Sequence, residues 1–371
     1  AVPLIFISIL SAINKLENSA GIGKMSLTIV GCMLCLVMIA GFIGLLTAHV
    51  LGLDASAFVH MQSTLTADDV SKTAAISLPK LMTSLIPTNI FLDLTGARSV
   101  SVIGIVIFTL LAGVALLKVK QDAPQEGEKL SAGINAIQIW VMKMVRIVIA
   151  LTPYGVMALM AGVFSAYRLE QFASLLGFIA ACYLAILMMF IVHALILVLS
   201  GNNPVHYFKT VWPVLTFAFV SRSSAASIPL AITAQEKFGV QNTIANIAAS
   251  FGSSMGQNGC AGIYPAIMVA MIAPTIGIDP LSVHFLLAML PAIALGSIGV
   301  AGVGGGGTFA ALIVLSTLNF PVALVGIFIA IEPVVDMART ALNVNGSMMS
   351  GVLANRLLKK RAEEPQRVNA N

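Results

Sequence analysis

Five stretches of this chain contain no Asp, Glu, Lys or Arg: residues 25–53, 99–117, 171–207, 238–278 and 280–331. Each passes the roughly 18-residue length a helix needs to cross a bilayer, and the last is long enough for two passes. Segments 133–165 and 320–357 are also of helix length and carry a few charges. Polar connections lie at 54–97, holding Asp54, Asp68, Asp69, Lys72, Lys80 and Asp93, and at 118–132. The opening stretch from Ala1 to Leu10 is apolar, too short to span, and lacks the basic region of a signal peptide. It reads as the second half of a helix that starts ahead of residue 1.

Beyond about residue 205, the apolar pattern is broken twice by tiny residues. One break is Ser221-Arg222-Ser223-Ser224-Ala225-Ala226-Ser227-Ile228-Pro229, and the other runs from Ser297 through Gly304-Gly305-Gly306-Gly307 to Thr308. Each is followed by a hydrophobic segment bearing polar residues: Met255-Gly256-Gln257-Asn258-Gly259-Cys260-Ala261-Gly262, then Glu332 to Asn343. Four glycines in a row weaken a helix by about 1 kcal/mol each. Backbone freed from a helix at membrane depth is tolerated only where it lines a cavity. Two such breaks in matching positions predict paired re-entrant hairpins around a transport site. Close helix packing through small residues is the plainer alternative for a single pair of glycines.

The last segment carries the most chemistry. Glu332, Asp336, Arg339, Thr340 and Asn343 are spaced by four, three, one and three residues, which puts them on one helical face. An ionisable group at membrane depth costs roughly 3 kcal/mol on insertion scales, so such groups mark pathways and binding sites. Two acids, a guanidinium, a hydroxyl and an amide suit a small zwitterion. The spacing favours Asp336 as an ion-pair partner for Arg339 or Arg222, neutralising the empty site. Glu332 and Arg339, seven residues apart, are too far along the helix for an easy direct contact.

Composition agrees with the pattern. The chain is 58% hydrophobic and 9% charged, against about 25% charged for a soluble domain. The net charge of +5 is modest, and Arg356, Lys359, Lys360, Arg361 and Arg367 gather near the C-terminus. That basic tail predicts a cytoplasmic C-terminus and no nucleic-acid partner. Cys32 and Cys35 form a C-x-x-C inside an apolar helix and read as buried free thiols, not a redox or metal pair. The five His are scattered without metal-ligand spacing. No Lys or His stands as a base for Ser223, Ser224 or Cys260, which argues against an intramembrane hydrolase. The two hairpins argue against a passive channel.

At these residues the chain resembles the dicarboxylate/amino acid:cation symporters, the glutamate transporter homologues. The resemblance rests on Arg222-Ser223-Ser224-Ala225-Ala226-Ser227-Ile228-Pro229, on the segment around Asn258, on Ser297-Ile298-Gly299-Val300-Ala301-Gly302-Val303-Gly304-Gly305, and on Asp336-Met337-Ala338-Arg339-Thr340-Ala341-Leu342-Asn343-Val344-Asn345-Gly346. Within the family it most resembles the bacterial L-cystine importers. The resemblance implies an all-α polytopic membrane protein with inverted repeats, two re-entrant helical hairpins and an elevator-type transport domain, assembled as a homotrimer in the bacterial inner membrane. The implied division is scaffold at 1–70 and 98–170, an extracytoplasmic loop at 71–97, a transport domain at 171–357 and a cytoplasmic tail at 358–371. Within the transport domain it implies hairpin 1 at about 206–237, the seventh helix at 240–275, hairpin 2 at about 284–318 and the eighth helix at 320–357.

By the same resemblance, Asp336 holds a substrate ammonium. Asn343 and Thr340 hold the α-carboxylate with Ser223, Ser224 and the hairpin backbone, and Arg339 holds the far end. Val303 and Gly307 line the closing hairpin, whose glycine-rich tip is the gate, and Gly262 replaces a family Thr. Cys260 and Ser347 stand where the family has sodium-binding acids, and Met33, Leu36 and Val37 offer no oxygens there. The cation site expected to survive is built largely of backbone carbonyls, from Gly256, Ser297, Ile298 and Val300 beside Asn258. The coupling ion is sodium, at most one per cycle, or a proton on Glu332; no other cofactor is implied. The leading function is cation-coupled import of L-cystine, whose distal carboxylate and ammonium match Arg339 and Glu332. The alternative is an acidic amino-acid or dicarboxylate symporter, which Glu332 and the missing acids disfavour.

Overall fold

The computed structural model describes residues 6–7, 10–11, 13–14, 20–56, 89–95, 101–150, 154, 157, 169–299, 306–321, 325, 328 and 331–368. Val300, Val303, Gly304, Gly305 and most of the 71–97 loop lie outside these residues. All regular structure among the described residues is helical. In chain order the helices are α1 (Ala20–Val50), α2 (Ile90–Thr95), α3 (Ser101–Asp122), α4 (Pro124–Ala150), α5 (Leu169–Leu199), α6 (Pro204–Ser221), α7 (Ile228–Lys237) and α8 (Asn242–Gly252). A π-helical turn (Asn258–Ile263) then leads into α9 (Tyr264–Ile272), followed by α10 (Val283–Gly296), α11 (Gly306–Thr317) and the long α12 (Glu332–Val368).

Among the described residues, three segments are long and apolar enough to cross a membrane: Gly23–Val50, Ser174–Leu199 and Asn258–Ile276. On α5, Leu176, Leu184, Leu187, Ile191, Leu195 and Val198 are exposed, while Phe178, Cys182, Ala185, Met189 and Leu197 are buried. Both sets recur at helical spacing, so one apolar face meets lipid and the other meets protein. Helices α10 and α11 have 14 and 12 residues, about 21 and 18 Å of length. That is short of a hydrocarbon core about 30 Å thick. They pack on each other, with Gly296 lying against Ile313 and Val314. The pair α6–α7 repeats the arrangement. Asn203 caps α6, its Oδ1 accepting from the Val205 and His206 amides at 2.9 and 3.3 Å. At the other end Arg222 closes the helix in the left-handed region, with φ 52°.

The packing separates two groups of elements. Helices α1, α5 and α6 to α12 share one hydrophobic core. The described residues among the first fourteen lie instead with α3 and α4: Phe6 stacks on Phe108, and Asn14 donates to the Ser131 carbonyl at 3.1 Å. A small second core of Ile105 and Ile313, with Phe6, Ile13, Ile90, Leu94 and Ile298 around it, touches both groups. The sequence reading placed residues 1–70, α1 included, in the scaffold. Its contacts put α1 with 171–357, against α5, the π-turn, α9 and α12.

The closest part of that packing is set by glycine. A side chain at Gly44 meets the Ile263 carbonyl oxygen at 2.8 Å, and one at Gly262 meets the Val37 carbonyl oxygen at 2.9 Å. Both obstacles are backbone, which cannot rotate aside. Gly44→Val is therefore expected to destabilise the protein by about 1–3 kcal/mol, as overpacking does. A lower thermal midpoint in detergent checks this; an unchanged midpoint contradicts the packing described.

Candidate functional site

The polar face of α12 is centred on Arg339, which is 0% exposed. Its Nη2 donates to Glu332 Oε1 at 3.1 Å and to Asp336 Oδ1 at 3.2 Å. Its Cζ lies 4.1 Å from the centroid of the Tyr264 ring, a cation–π contact. Its Nε and Nη1 have no hydrogen-bond partner. The Glu332–Arg339 pairing corrects the expectation that seven residues is too long a step. Side chains on a helix lean toward its N-terminus, so the long arginine reaches back two turns to a glutamate that needs to reach little.

Both hairpins close on this helix. Glu332 Oε1 accepts from the Thr308 amide at 3.1 Å, and Oε2 accepts from the Thr308 hydroxyl. The carboxylate thereby caps the amino end of α11, where unpaired N–H groups and the helix dipole favour an anion. A side chain on Gly307 would sit 1.8 Å from Arg339 Nη1, so the guanidinium lies directly on that helix start. From the other side, Arg222 Nε donates to Asp336 Oδ2 at 3.0 Å. The expected pairing of Asp336 thus occurs with both arginines. Two carboxylates face two guanidiniums, and the cluster is neutral as a whole.

Below Arg339 the chain leaves regular α-helix. Asn343 Oδ1 accepts from the Gly259 and Cys260 amides at 2.7 and 3.2 Å, and its Nδ2 donates to Cys260 Sγ at 3.0 Å. A π-turn frees N–H groups from their usual partners, and this carboxamide takes two of them. Thr340 is buried on the same face. Asn258, first residue of the turn, lies 3.1 Å from His193 Nε2 on α5; His193 Nδ1 lies 2.7 Å from Asn345 Nδ2, and Tyr207 donates to Asn345 Oδ1 at 3.0 Å. His193, Asn345, Tyr207, Tyr264 and Thr308 were not anticipated. The signal for His193 was a lone ionisable residue inside an uncharged apolar run, the same cost argument that selected α12.

The remaining candidates are spread around this centre. Ser223 and Ser224 follow Arg222 in the hairpin tip; Ser223 Oγ accepts from the Ala226 amide at 3.2 Å, and Ser224 is buried. The position of a side chain on Gly262 is filled by Val37, Ala40 and Gly41 of α1, not by the charged cluster. Gly256 and Ser297 come together, the Gly256 amide donating to the Ser297 carbonyl at 3.2 Å, with Ile298 next in line. Met33 packs on Gly256, and Ser347 donates to the Ala248 carbonyl at 2.8 Å. Cys32 and Cys35 are free thiols, but Cys35 is exposed on α1, which corrects the expectation of burial.

Removing one partner of a buried ion pair costs about 3–5 kcal/mol, because the other charge is left unpaired. Arg339→Leu strands two carboxylates and is expected to lower stability by that amount. Arg222→Gln should cost less, since Arg222 is 35% exposed and solvent already screens it. Thermal unfolding of the two variants checks the order, and a larger loss in Arg222→Gln would reverse the assignment of Arg339 as the centre.

Residues 1–357 match the family model described as the sodium:dicarboxylate symporter family. An L-cystine uptake protein TcyP of Bacillus cereus is 47% identical over 364 residues, covering 96% of this chain and 78% of that protein. An uncharacterized symporter of Haemophilus influenzae is 45% identical over 364 residues, covering 96% and 83%. The TcyP of Shouchella clausii is 45% identical over 360 residues, covering 96% and 77%. These are transport proteins, so Ser223, Ser224 and Cys260 are not the nucleophiles of a hydrolase. With its apolar spans and a charged cluster sealed between two hairpins, the chain is a multi-pass membrane transporter and belongs to the sodium:dicarboxylate symporter family.

Proposed function

We propose that the protein is a cation-coupled symporter that imports L-cystine across the bacterial inner membrane. The observation that carries this reading is Arg339, fully buried, with Nε and Nη1 unused beside two paired carboxylates. A planar guanidinium with spare donors is suited to bidentate capture of a carboxylate. Cystine carries two carboxylates and two ammoniums, and the cluster carries two guanidiniums and two carboxylates. The Glu332–Arg339 pair can be exchanged for the distal ammonium and carboxylate with no change in total charge, and Asp336 can exchange Arg222 for the near ammonium. Relatives named as L-cystine uptake proteins support the same substrate.

In this reading Asp336 takes the near ammonium. Asn343 and Thr340 take the near carboxylate with Ser223, Ser224 and the tip containing Val303 and Gly307. Arg339 takes the distal carboxylate and Glu332 the distal ammonium. A dicarboxylate would also satisfy Arg339, but it leaves Glu332 facing an anion. The coupling ion is one sodium at the carbonyls of Gly256, Ser297, Ile298 and Val300 beside Asn258. Cystine is near neutral at pH 7, so one cation moves one net charge inward. A potential of 100 mV then contributes about 2.3 kcal/mol.

The larger group of helices, with α1 included, moves as an elevator against residues 6–14, α3 and α4. The small second core between them, against the extensive one within the larger group, favours this division. Three such chains form the working assembly, with the basic tail in the cytoplasm.

Counterflow of labelled L-cystine in proteoliposomes, competed with glutamate, aspartate, cysteine and selenocystine, tests the substrate. Glutamate or aspartate competing better than selenocystine would favour the dicarboxylate alternative. Asp336→Asn and Arg339→Ala are each expected to abolish cystine uptake, with the protein still eluting as one folded species. Glu332→Gln is expected to weaken cystine more than any competitor with a single amino group; an equal loss for all ligands would make Glu332 structural. Sodium replaced by choline should stop uptake. Uptake that persists in choline, follows an imposed pH gradient and fails in Glu332→Gln would make the proton on Glu332 the coupling ion instead.

A further inference from the structure

Outside the charged cluster, four buried polar side chains from four elements form one hydrogen-bonded line. Tyr207 of α6 donates to Asn345 of α12 at 3.0 Å, Asn345 meets His193 of α5 at 2.7 Å, and His193 meets Asn258 of the π-turn at 3.1 Å. None of the four carries a formal charge when the imidazole is neutral, and no ion pair among the described residues involves His193. The ring of Phe190 lies edge-on to it at 6.4 Å.

Counting donors and acceptors fixes the state of the ring. With Tyr207 donating to Asn345 Oδ1, the Nδ2 of that amide faces His193 Nδ1. An N–H aimed at a ring nitrogen requires that nitrogen to be bare, so the imidazole proton sits on Nε2. Nε2–H faces the Asn258 amide and requires an oxygen there. The structure sets Asn258 Nδ2 against Nε2 and leaves Oδ1 without a partner; turning the amide brings Oδ1 to Nε2 and moves Nδ2 into the unpartnered place. The opposite tautomer reverses Asn345 and leaves both the Tyr207 proton and Asn258 Oδ1 unmatched. A cationic ring also strands the Tyr207 proton, and it lacks a counter-charge. The Nε2–H tautomer leaves one of these groups unpaired, the turned Asn258 Nδ2, where the opposite tautomer leaves two.

We propose that His193, held as its neutral Nε2–H tautomer by Asn345 and Tyr207, is a positioning residue for the transport site. It fastens Asn258 to α5, and so holds one end of the π-turn. Asn343 holds the next two residues, through the Gly259 and Cys260 amides. With the His193 anchor cut, the side-chain hydrogen bonds described for the turn come from α12 alone, and the carboxamide of Asn343 loses the fixed N–H groups that orient it. The consequence for ligand binding rests on the role given to Asn343 above; the anchoring itself does not.

Two measurements on the intact, ligand-free protein in lipid nanodiscs test the anchoring. In His193→Phe, which keeps a planar ring, hydrogen exchange of a peptide spanning 256–264 is expected to speed up by about tenfold or more, as local opening does. Peptides of α3 and α4 should not change. Nitrogen-15 spectra of labelled histidine in the unmutated protein should show His193 with Nδ1 bare and Nε2 protonated. L-cystine affinity should fall by about tenfold in His193→Phe, with part recovered in His193→Gln, which keeps one donor toward Asn258. Unchanged exchange at 256–264, or a protonated Nδ1, overturns the proposal. If His193→Phe fails to fold, Tyr207→Phe takes its place. It should yield mixed His193 tautomers and faster exchange at 256–264, and a single unchanged tautomer would count against the line. Failure of the unmutated protein to bind L-cystine would sink the substrate reading alone, since exchange and tautomer are read without ligand.

Discussion

A guanidinium that cannot lose its proton is sealed inside an apolar helix bundle, and the rest of the site is arranged around that fact. Arg339 draws two carboxylates from its own helix and the face of a tyrosine from α9. Those carboxylates in turn recruit one hairpin each, Glu332 through Thr308 and Asp336 through Arg222. The hairpin starts must be free of bulk to come this close, which is why glycine stands at 307. Burial makes every one of these contacts strong, and it makes every missing one costly. The cluster is therefore stable only when its charges are matched.

The second constraint is the π-turn beneath it. Its residues are buried in an apolar core, where unpaired N–H groups are costly. Asn343 satisfies two of them from α12, while α1 seals the outer side through glycine contacts that leave no gap. An irregular backbone is thus held between a polar clamp and a tight apolar wall. The clamp presents hydrogen-bonding groups to the site, and the wall keeps lipid and water from them.

Much of this was legible in the residues. The α12 face stood out because five polar side chains at helical spacing follow a long uncharged run, and the hairpin tips stood out because serine and glycine runs have no place in an ordinary spanning helix. The Glu332–Arg339 contact was misjudged because a spacing rule treats side chains as short, whereas arginine spans two turns along its helix. Gly262 was named for the family Thr it replaces; the extra residue of a π-turn changes which way each position faces, and a side chain there would meet α1. The membership of α1 was hidden because a helix apolar on all sides carries no periodic mark of its partner. His193 was passed over because its partners come from three other elements, and no spacing within α5 announces them.

Glu332 serves two masters. The same carboxylate neutralises Arg339 and caps α11, so the start of the second hairpin and the charge state of the site are not independent variables. A cation that competes for Glu332 weakens the hold on Thr308, and a hairpin that leaves Thr308 frees Glu332 for that cation. Thermodynamic reciprocity requires the two effects to be equal: whatever factor occupancy applies to the opening equilibrium, opening applies to occupancy. In the proposed transport cycle, entry of cargo and movement of the hairpin would then share one free-energy surface, joined at a single glutamate.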